Sequence, residues 1–169
     1  MIDQLILSKR LFIQGQIFTE QNDPISAGMA ISLFQDSVEM LCWGIIKQYD
    51  VPIKKEKTPF TSYADAIKEK TGRQIQYWAK ILDLNTARIN FKHYGNLPNP
   101  SEAVKFSVYT EDYLRASFID FFDKEYDEIS LSLLIPFDDV RSHILCAEQN
   151  LRDDNYNECY NCPQKLDSH

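Results

Sequence analysis

The chain has 169 residues, of which 44% are hydrophobic and 25% are charged, a balance typical of a soluble globular domain. A formal net charge of −7 excludes a protein coated all over with positive charge for nucleic acid. The apolar runs, such as residues 40–46, are far shorter than the ~20 residues of a membrane span, and the N-terminus lacks the pattern of a secretory signal. We therefore expect a cytoplasmic protein with no membrane partner.

Helical periodicity dominates the chain and predicts an all-α bundle of about six helices. The first helix is expected over residues 2–21. The second, over residues 24–49, is long and strongly apolar and is expected at the centre of the fold. Asp23 is well placed to cap this helix, and Pro24 suits its first turn.

The next two helices are punctuated by polar residues and glycines. A short third helix is expected to start near Thr61 or Ser62, whose hydroxyl caps it, and to end at Gly72. The fourth is expected over residues 73–94, with Gly95 as its C-cap and prolines shortly beyond.

The last part of the chain predicts two more helices and a polar tail. The fifth helix is expected to be capped by Ser101 and to end near Glu125, and the sixth is expected over residues 137–152. We therefore expect one helical domain over residues 1–152. The polar segment 153–169 is expected to begin a further segment that the chain does not contain.

The four cysteines do not predict a metal site. Cys42 and Cys146 lie in apolar helical patterns and are expected to be buried free thiols. Cys159 and Cys162 form one C-x-x-C pair, and His169 is the nearby additional candidate. A structural zinc site normally needs four ligands, so an incidental pair in a tail is the better interpretation.

The basic residues concentrate in the middle of the chain. Residues 51–100 contain 9 basic and 4 acidic side chains, whereas residues 101–169 contain 6 basic and 15 acidic ones. One interpretation is ordinary charge segregation on solvated helices. The other is an anionic partner, contacted through phosphates by Lys54, Lys55, Lys57, Arg73, Lys80 and Lys92.

The end of the fourth helix carries a polar facet. On a helix that turns by ~100° per residue, the order around this facet is Arg88, Lys92, Asn85, Ile89, His93. Arg88 and His93 are then about 140° apart. Apolar residues border the facet, which favours a helix that faces a partner or a cleft.

Two interpretations of this facet remain open. Lys92 and His93 complement the helix C-terminus, and Arg88 pairs with a carboxylate on a neighbouring helix. Alternatively, the facet cleaves RNA without a metal, because a histidine transfers protons near neutral pH and a guanidinium binds the phosphate. Asn85 or Asn90 would then orient the histidine or the phosphate.

The block "LNTARINFKHYGNLP", residues 84–98, resembles the signature of HEPN domains, R-x4-6-H near the end of a core helix. Here the signature is Arg88-x4-His93. Residues 31–46, "ISLFQDSVEMLCWGII", resemble the long second helix of such domains. The resemblance covers roughly residues 1–150.

The resemblance implies a helical bundle, a homodimer with a shared cleft, and a ribonuclease of a bacterial defence or toxin-type system. It implies RNA as substrate, an antitoxin or other defence protein as partner, and neither cofactor nor metal. The catalytic residues implied are Arg88, Asn90 and His93. Nucleic acid would be contacted by Lys92, Lys80, Arg73 and Asn85.

The sequence departs from the family pattern at two positions. Ile89 follows the arginine, where many catalytic members carry a polar residue. Tyr94 directly follows the histidine, whereas toxins paired with nucleotidyltransferases have one residue between the two. The alternative hypothesis is therefore a non-catalytic HEPN-like module for RNA binding or dimerisation in a larger protein.

Overall fold

The computed structural model describes residues 2–53 and 58–155 of the chain. Within these ranges the regular structure is helical and contains no strand, so the prediction of an all-α helical bundle is confirmed. The six α-helices are α1 (Ile2–Thr19), α2 (Pro24–Gln48), α3 (Tyr63–Thr71), α4 (Trp78–Tyr94), α5 (Pro100–Phe122) and α6 (Asp138–Arg152).

The chain divides into two compact units, residues 1–129 and residues 130–169. The first unit contains α1 to α5. The described part of the second contains a 3-10 turn at Leu131–Leu134 and α6, which has no fully buried residue. Inside this second unit, Arg141 donates a hydrogen bond to the carbonyl of Ile135 at 3.0 Å.

The cysteines differ in burial and in whether they form a disulfide. Cys42 is a buried free thiol, as predicted. The same prediction for Cys146 is wrong, because that residue is half-buried and disulfide-bonded. The predicted C-x-x-C pair, Cys159 and Cys162, lies outside the described residues.

The α1–α2 pair forms one side of the first unit. Ser8 and Ser37 bind each other's backbone: each hydroxyl donates to the other residue's carbonyl at 2.8 Å. Further along, a β-carbon on Gly15 would lie 2.5 Å from the Phe34 ring, so the glycine allows the helices to approach closely. Buried serines at this contact therefore make their hydrogen bonds across the helix pair.

α2 is the central helix, as predicted, and it buries 15 of its 25 residues. Among the described helices, α2 alone has the length and apolar composition of a membrane span. However, 67% of its apolar 18-residue window is buried inside the structure. A core helix has this pattern because its apolar residues face other helices on most sides.

The last segment of the first unit is held by two cations. Lys9 donates to the carbonyls of Tyr126 and Ile129 at 2.9 and 2.7 Å, and its ammonium lies 4.6 Å from the centre of the Tyr126 ring. Arg115 binds both carboxylate oxygens of Asp127, at 2.7 and 3.2 Å. These contacts fix residues 126–129 against α1 and α5.

Local capping signals set the start of two helices. The Asp23 carboxylate accepts the N–H groups of the second and third residues of α2, as predicted. For α5 the prediction of Ser101 is wrong. Asn99 is the cap, because it is extended, precedes Pro100 and exchanges hydrogen bonds with Glu102 in a capping box. α5 ends at Phe122, earlier than expected.

The third helix differs from the prediction at its start only. Residues Phe60–Ser62 form a 3-10 turn before α3, and the Ser62 hydroxyl makes no capping hydrogen bond. The helix ends at Gly72 as predicted, with the glycine in the left-handed region at φ 71°.

α4 begins at Trp78, five residues later than predicted. Arg73 donates to the Tyr49 hydroxyl at 3.1 Å and to the carbonyl of Asp120. Gln76 donates to the Asp120 carboxylate at 2.8 Å, and Tyr77 adopts a left-handed φ of 59°. These contacts to Tyr49, the residue after α2, and to α5 override the local preference for a helix over residues 73–77.

Candidate functional site

α4 lies antiparallel to α2, and this orientation positions the site. Phe91, in the last turn of α4, packs on Gly28 near the start of α2. At the other end, Trp78 contacts Phe60 at 4.9 Å between ring centres, in an aromatic cluster that also includes Trp43 of α2. The C-terminal turn of α4 is therefore held beside the first turns of α2.

Arg88 occupies a position that faces the core. Ile81 and Leu84 are completely buried, and Phe91 packs on α2, so a stripe with helical spacing passes directly through residue 88. Arg88 is half-buried, and its Nε has no access to solvent and no hydrogen-bond partner among the described residues. Nor does Arg88 form an ion pair within this part of the chain. A partly buried cation without a counter-charge favours a bound anion.

The facet beside Arg88 is open. Asn85 and Ile89 are half-buried, while Lys92 and His93 are exposed. On the helix, Arg88 and His93 are separated by about 140° and by about 7.5 Å along the axis. Their side chains therefore leave α4 in different directions, and the structure does not bring them together in one chain.

Backbone groups already cap the end of α4. Gly95 takes the left-handed conformation at φ 68°, as the sequence predicted. Its N–H donates to the carbonyl of Phe91 at 3.1 Å, and the N–H of Asn96 donates to the carbonyl of Asn90 at 3.1 Å. These two carbonyls therefore do not need His93 as a capping donor.

Asn90 lies on another side of α4. It lines a cavity of about 320 Å³ between α4, α5 and the loop that joins them. Its direction from the helix axis differs from that of Arg88 by about 160°. Asn90 is thus closer in direction to His93 than to Arg88, and the predicted trio does not converge in one chain.

Two of the predicted nucleic-acid contacts are engaged elsewhere. The Lys80 ammonium lies 3.5 Å from the Asp112 carboxylate and 4.6 Å from the centre of the Tyr109 ring. Arg73 binds Tyr49 and Asp120 beyond the N-terminal end of α4, far from His93. Lys54, Lys55 and Lys57 lie outside the described residues. Of the predicted contacts, Lys92 and Asn85 remain on the facet.

Comparison of the chain with models of protein families, with curated proteins and with solved structures finds no match. The described ranges also contain no group of three or more His, Cys, Asp or Glu residues that would hold a metal ion. The residues of α4 and their surroundings are therefore the features of the molecule from which function can be inferred.

Asp83 and Thr86 were not among the predicted site residues. Both line the α4–α5 cavity together with Asn90. The signal was present in the sequence, because residues 83, 86, 90 and 93 repeat at helical spacing and are all polar. This polar stripe runs from the cavity to His93.

Proposed function

We propose that this chain is a HEPN-like, metal-independent endoribonuclease in which Arg88 binds the scissile phosphate and His93 transfers a proton. The observation that carries this proposal is the Arg88 guanidinium, which is held partly buried without a counter-charge among the described residues. A phosphate would supply that charge and would accept two parallel hydrogen bonds from the planar guanidinium.

The proposed reaction uses the RNA's own 2′-hydroxyl. His93 accepts the proton of this hydroxyl, and the 2′-oxygen attacks the adjacent phosphorus. The bond from phosphorus to the 5′-oxygen breaks, that oxygen takes up a proton from water, and His93 returns its own proton to the solvent. The products are a 2′,3′-cyclic phosphate and a 5′-hydroxyl, and Arg88 stabilises the extra negative charge of the transition state.

The proposed active site combines two copies of the chain. Because Arg88 and His93 diverge on α4, a cleft between two protomers would place Arg88 of one near His93 of the other. Ile25 and Met29, at the start of α2, are 59% and 43% exposed and provide apolar surface next to this end of α4. This patch supports a homodimer through the first turns of α2.

From the resemblance we propose that this nuclease acts in the bacterial cytoplasm, in a toxin-type or defence system. Such an enzyme would damage its host without restraint, so the proposal includes an antitoxin or another defence protein as partner. The negative final third of the chain, with 15 acidic and 6 basic residues, leaves the facet of α4 as the part proposed to meet RNA.

The test is cleavage of single-stranded RNA by the purified chain at low salt, with and without EDTA. We expect cleavage that EDTA does not affect and that His93→Ala and Arg88→Ala both abolish. Arg88→Lys should also be strongly impaired, because an ammonium cannot bind the phosphate in the same bidentate way. His143→Ala is the matched control, since His143 lies on α6, in the second unit.

Cleavage that survives Arg88→Ala or His93→Ala, or that requires a metal, would contradict the mechanism. RNA binding by a folded dimer without cleavage would instead favour the non-catalytic module. In that case Arg88→Ala should weaken RNA binding while His93→Ala should leave it largely unchanged.

A further inference from the structure

The cavity between α4 and α5 has two distinct ends. The helices are antiparallel, as the Lys80–Asp112 ion pair near the start of α4 and the short loop after Gly95 require. The end of the cavity distant from the α4–α5 loop is therefore lined by Asp83, Lys105 and Phe106. The end beside the loop is lined by Asn90, Asn96, Leu97, Pro98 and Glu102.

The polar side chains of this cavity are available to form hydrogen bonds with a ligand. Asp83 forms no ion pair or hydrogen bond with any described residue, although Lys105 lines the same cavity. The Lys105 ammonium lies 4.4 Å from the centre of the Phe106 ring instead. The side-chain amides of Asn90 and Asn96 also have no partner in the described ranges. Two carboxylates, two amides and an ammonium therefore line one space together with apolar side chains, as in sites for small organic ligands.

The cavity borders the stripe of α4 that carries His93, although His93 itself does not line it. Asp83, Thr86, Asn90 and His93 form one stripe of α4, with spacings of three, four and three residues. Asp83 and His93 are separated by about 15 Å along the helix axis. One nucleotide, bound through its base at one end and its phosphate at the other, can bridge that separation.

We propose that the α4–α5 cavity binds a guanine base, and that in the ribonuclease it selects the nucleotide beside the scissile phosphate. Asp83 accepts the N1–H and N2–H groups of guanine with its two oxygens. Lys105, which lies toward the same end of the cavity as Asp83, donates to the O6 atom, and Phe106 forms the apolar floor. The selection of a cleavage position rests on the proposed function, whereas binding of guanine does not.

The carboxylate is what specifies guanine. Guanine is the one RNA base whose Watson–Crick edge presents two adjacent N–H donors, which match the two oxygens of a carboxylate. Adenine and cytosine offer a single amino group there, and uracil a single imino group. The cavity volume of about 320 Å³ lies at the small end of ligand sites, which suits one base with part of its ribose.

The experiment titrates the full chain, labelled with ¹⁵N, with GMP, IMP, AMP, CMP and UMP at low salt. GMP should perturb amide signals of α4, α5 and the loop between them. IMP, which lacks the N2 amino group, should bind at least about tenfold more weakly. Asp83→Asn should remove the preference for GMP over IMP, whereas Asp65→Asn, an exposed carboxylate on α3, should preserve it. Equal binding of GMP and IMP, or no binding of GMP, would overturn the proposal.

RNA cleavage separates this inference from the proposed function. If GMP binds with this preference but RNA is not cleaved, the ribonuclease fails and the guanine site stands. If RNA is cleaved equally beside all four bases and GMP does not bind, the guanine site fails and the ribonuclease stands. If cleavage beside guanine predominates and Asp83→Asn equalises the four bases, free and RNA-bound guanine use the same site.

Discussion

The ring of Phe91 occupies the space that a β-carbon on Gly28 would fill. A β-carbon built at residue 28 lies 2.6 Å from Cζ of this ring and closer still to Cδ2 and Cε2. Phe91 follows Arg88 by three residues and precedes His93 by two. The positions of both proposed functional side chains therefore depend on a glycine in another helix.

Gly28→Ala should displace the end of α4. We expect a loss of about 1–3 kcal/mol in the free energy of unfolding from overpacking, offset in part by the ~0.5–1 kcal/mol that alanine gains over glycine in a helix. Trp43 and Trp78, the two tryptophans, both lie in the first unit, so their fluorescence during urea unfolding reports on it.

Gly44→Ala is the control for this prediction. It lies in the same helix, but its added β-carbon would be 3.4 Å from the nearest atom, Cζ of Phe122. We expect unchanged or slightly higher stability. Equal losses for the two variants would show that the contact with Phe91 is not what makes Gly28 sensitive.

Mixing two inactive variants tests whether the active site is shared between protomers. In a dimer of Arg88→Ala with His93→Ala, one of the two shared sites retains both intact residues. Random reassociation should therefore restore about a quarter of wild-type cleavage. The measurement is the cleavage rate after the variants are unfolded together and refolded, compared with variants refolded separately. No recovery, although mixed dimers form, would place both residues in a single-chain site.

The salt dependence of RNA binding should identify the lysine that contacts phosphate. Lys92→Ala should reduce the slope of log affinity against log salt by about 0.7–1, the contribution of one phosphate contact. Lys80→Ala should change this slope less, because Lys80 is already paired with Asp112 at 3.5 Å. Fluorescence anisotropy of labelled RNA at several salt concentrations measures both. A larger effect of Lys80→Ala would show that the RNA backbone contacts Lys80 rather than Lys92.

The Asp127–Arg115 pair should make the stability of the first unit depend on pH. The hydrogen bond from Arg115 lowers the pKa of Asp127 below its ordinary value. The stabilisation that this ion pair provides is therefore present above the pKa of Asp127 in the unfolded chain, about 3.9. It is lost as the pH falls through the lower pKa that Asp127 has in the folded chain. Because the Asp127 side chain is 70% exposed, we expect Asp127→Asn to cost only about 0.2–1 kcal/mol at pH 7.

Urea unfolding at pH 7 and at pH 3 measures this effect. The difference in free energy of unfolding between wild type and Asp127→Asn should be smaller at pH 3 than at pH 7, because the wild-type carboxylate becomes protonated. Glu128→Gln, which removes the neighbouring carboxylate, should change the free energy of unfolding less than Asp127→Asn at both pH values. A difference that stays constant from pH 7 to pH 3 would assign the effect to packing.

Two helix ends that are set by local chemistry, the start of α2 and the end of α4, were predicted correctly from the sequence. Asp23 and Pro24 are adjacent in the chain, and Gly95 ends α4 through its own backbone, so these signals need no distant partner. The start of α4 is different. Arg73 finds its acceptors in Tyr49 and Asp120, 24 and 47 residues away, and no local pattern contains that information.

The candidate site was predictable only in part, for the same reason. Helical spacing alone gave the facet that contains Arg88 and His93. It did not give the burial of Arg88, which depends on the packing of α4 against α2. The polar stripe that contains Asp83 is visible in the sequence, but the cavity that Asp83 lines exists only where α5 folds back beside α4.

Lys9 meets its two carbonyl acceptors 117 and 120 residues further along the chain. A ribosome builds the chain from the N-terminus, so α1 and α2 emerge and can pair long before Tyr126 is made. Until then the α1–α2 hairpin lacks the segment that Lys9 holds against it. Closure of the first unit therefore cannot precede the synthesis of its last residues, 126–129.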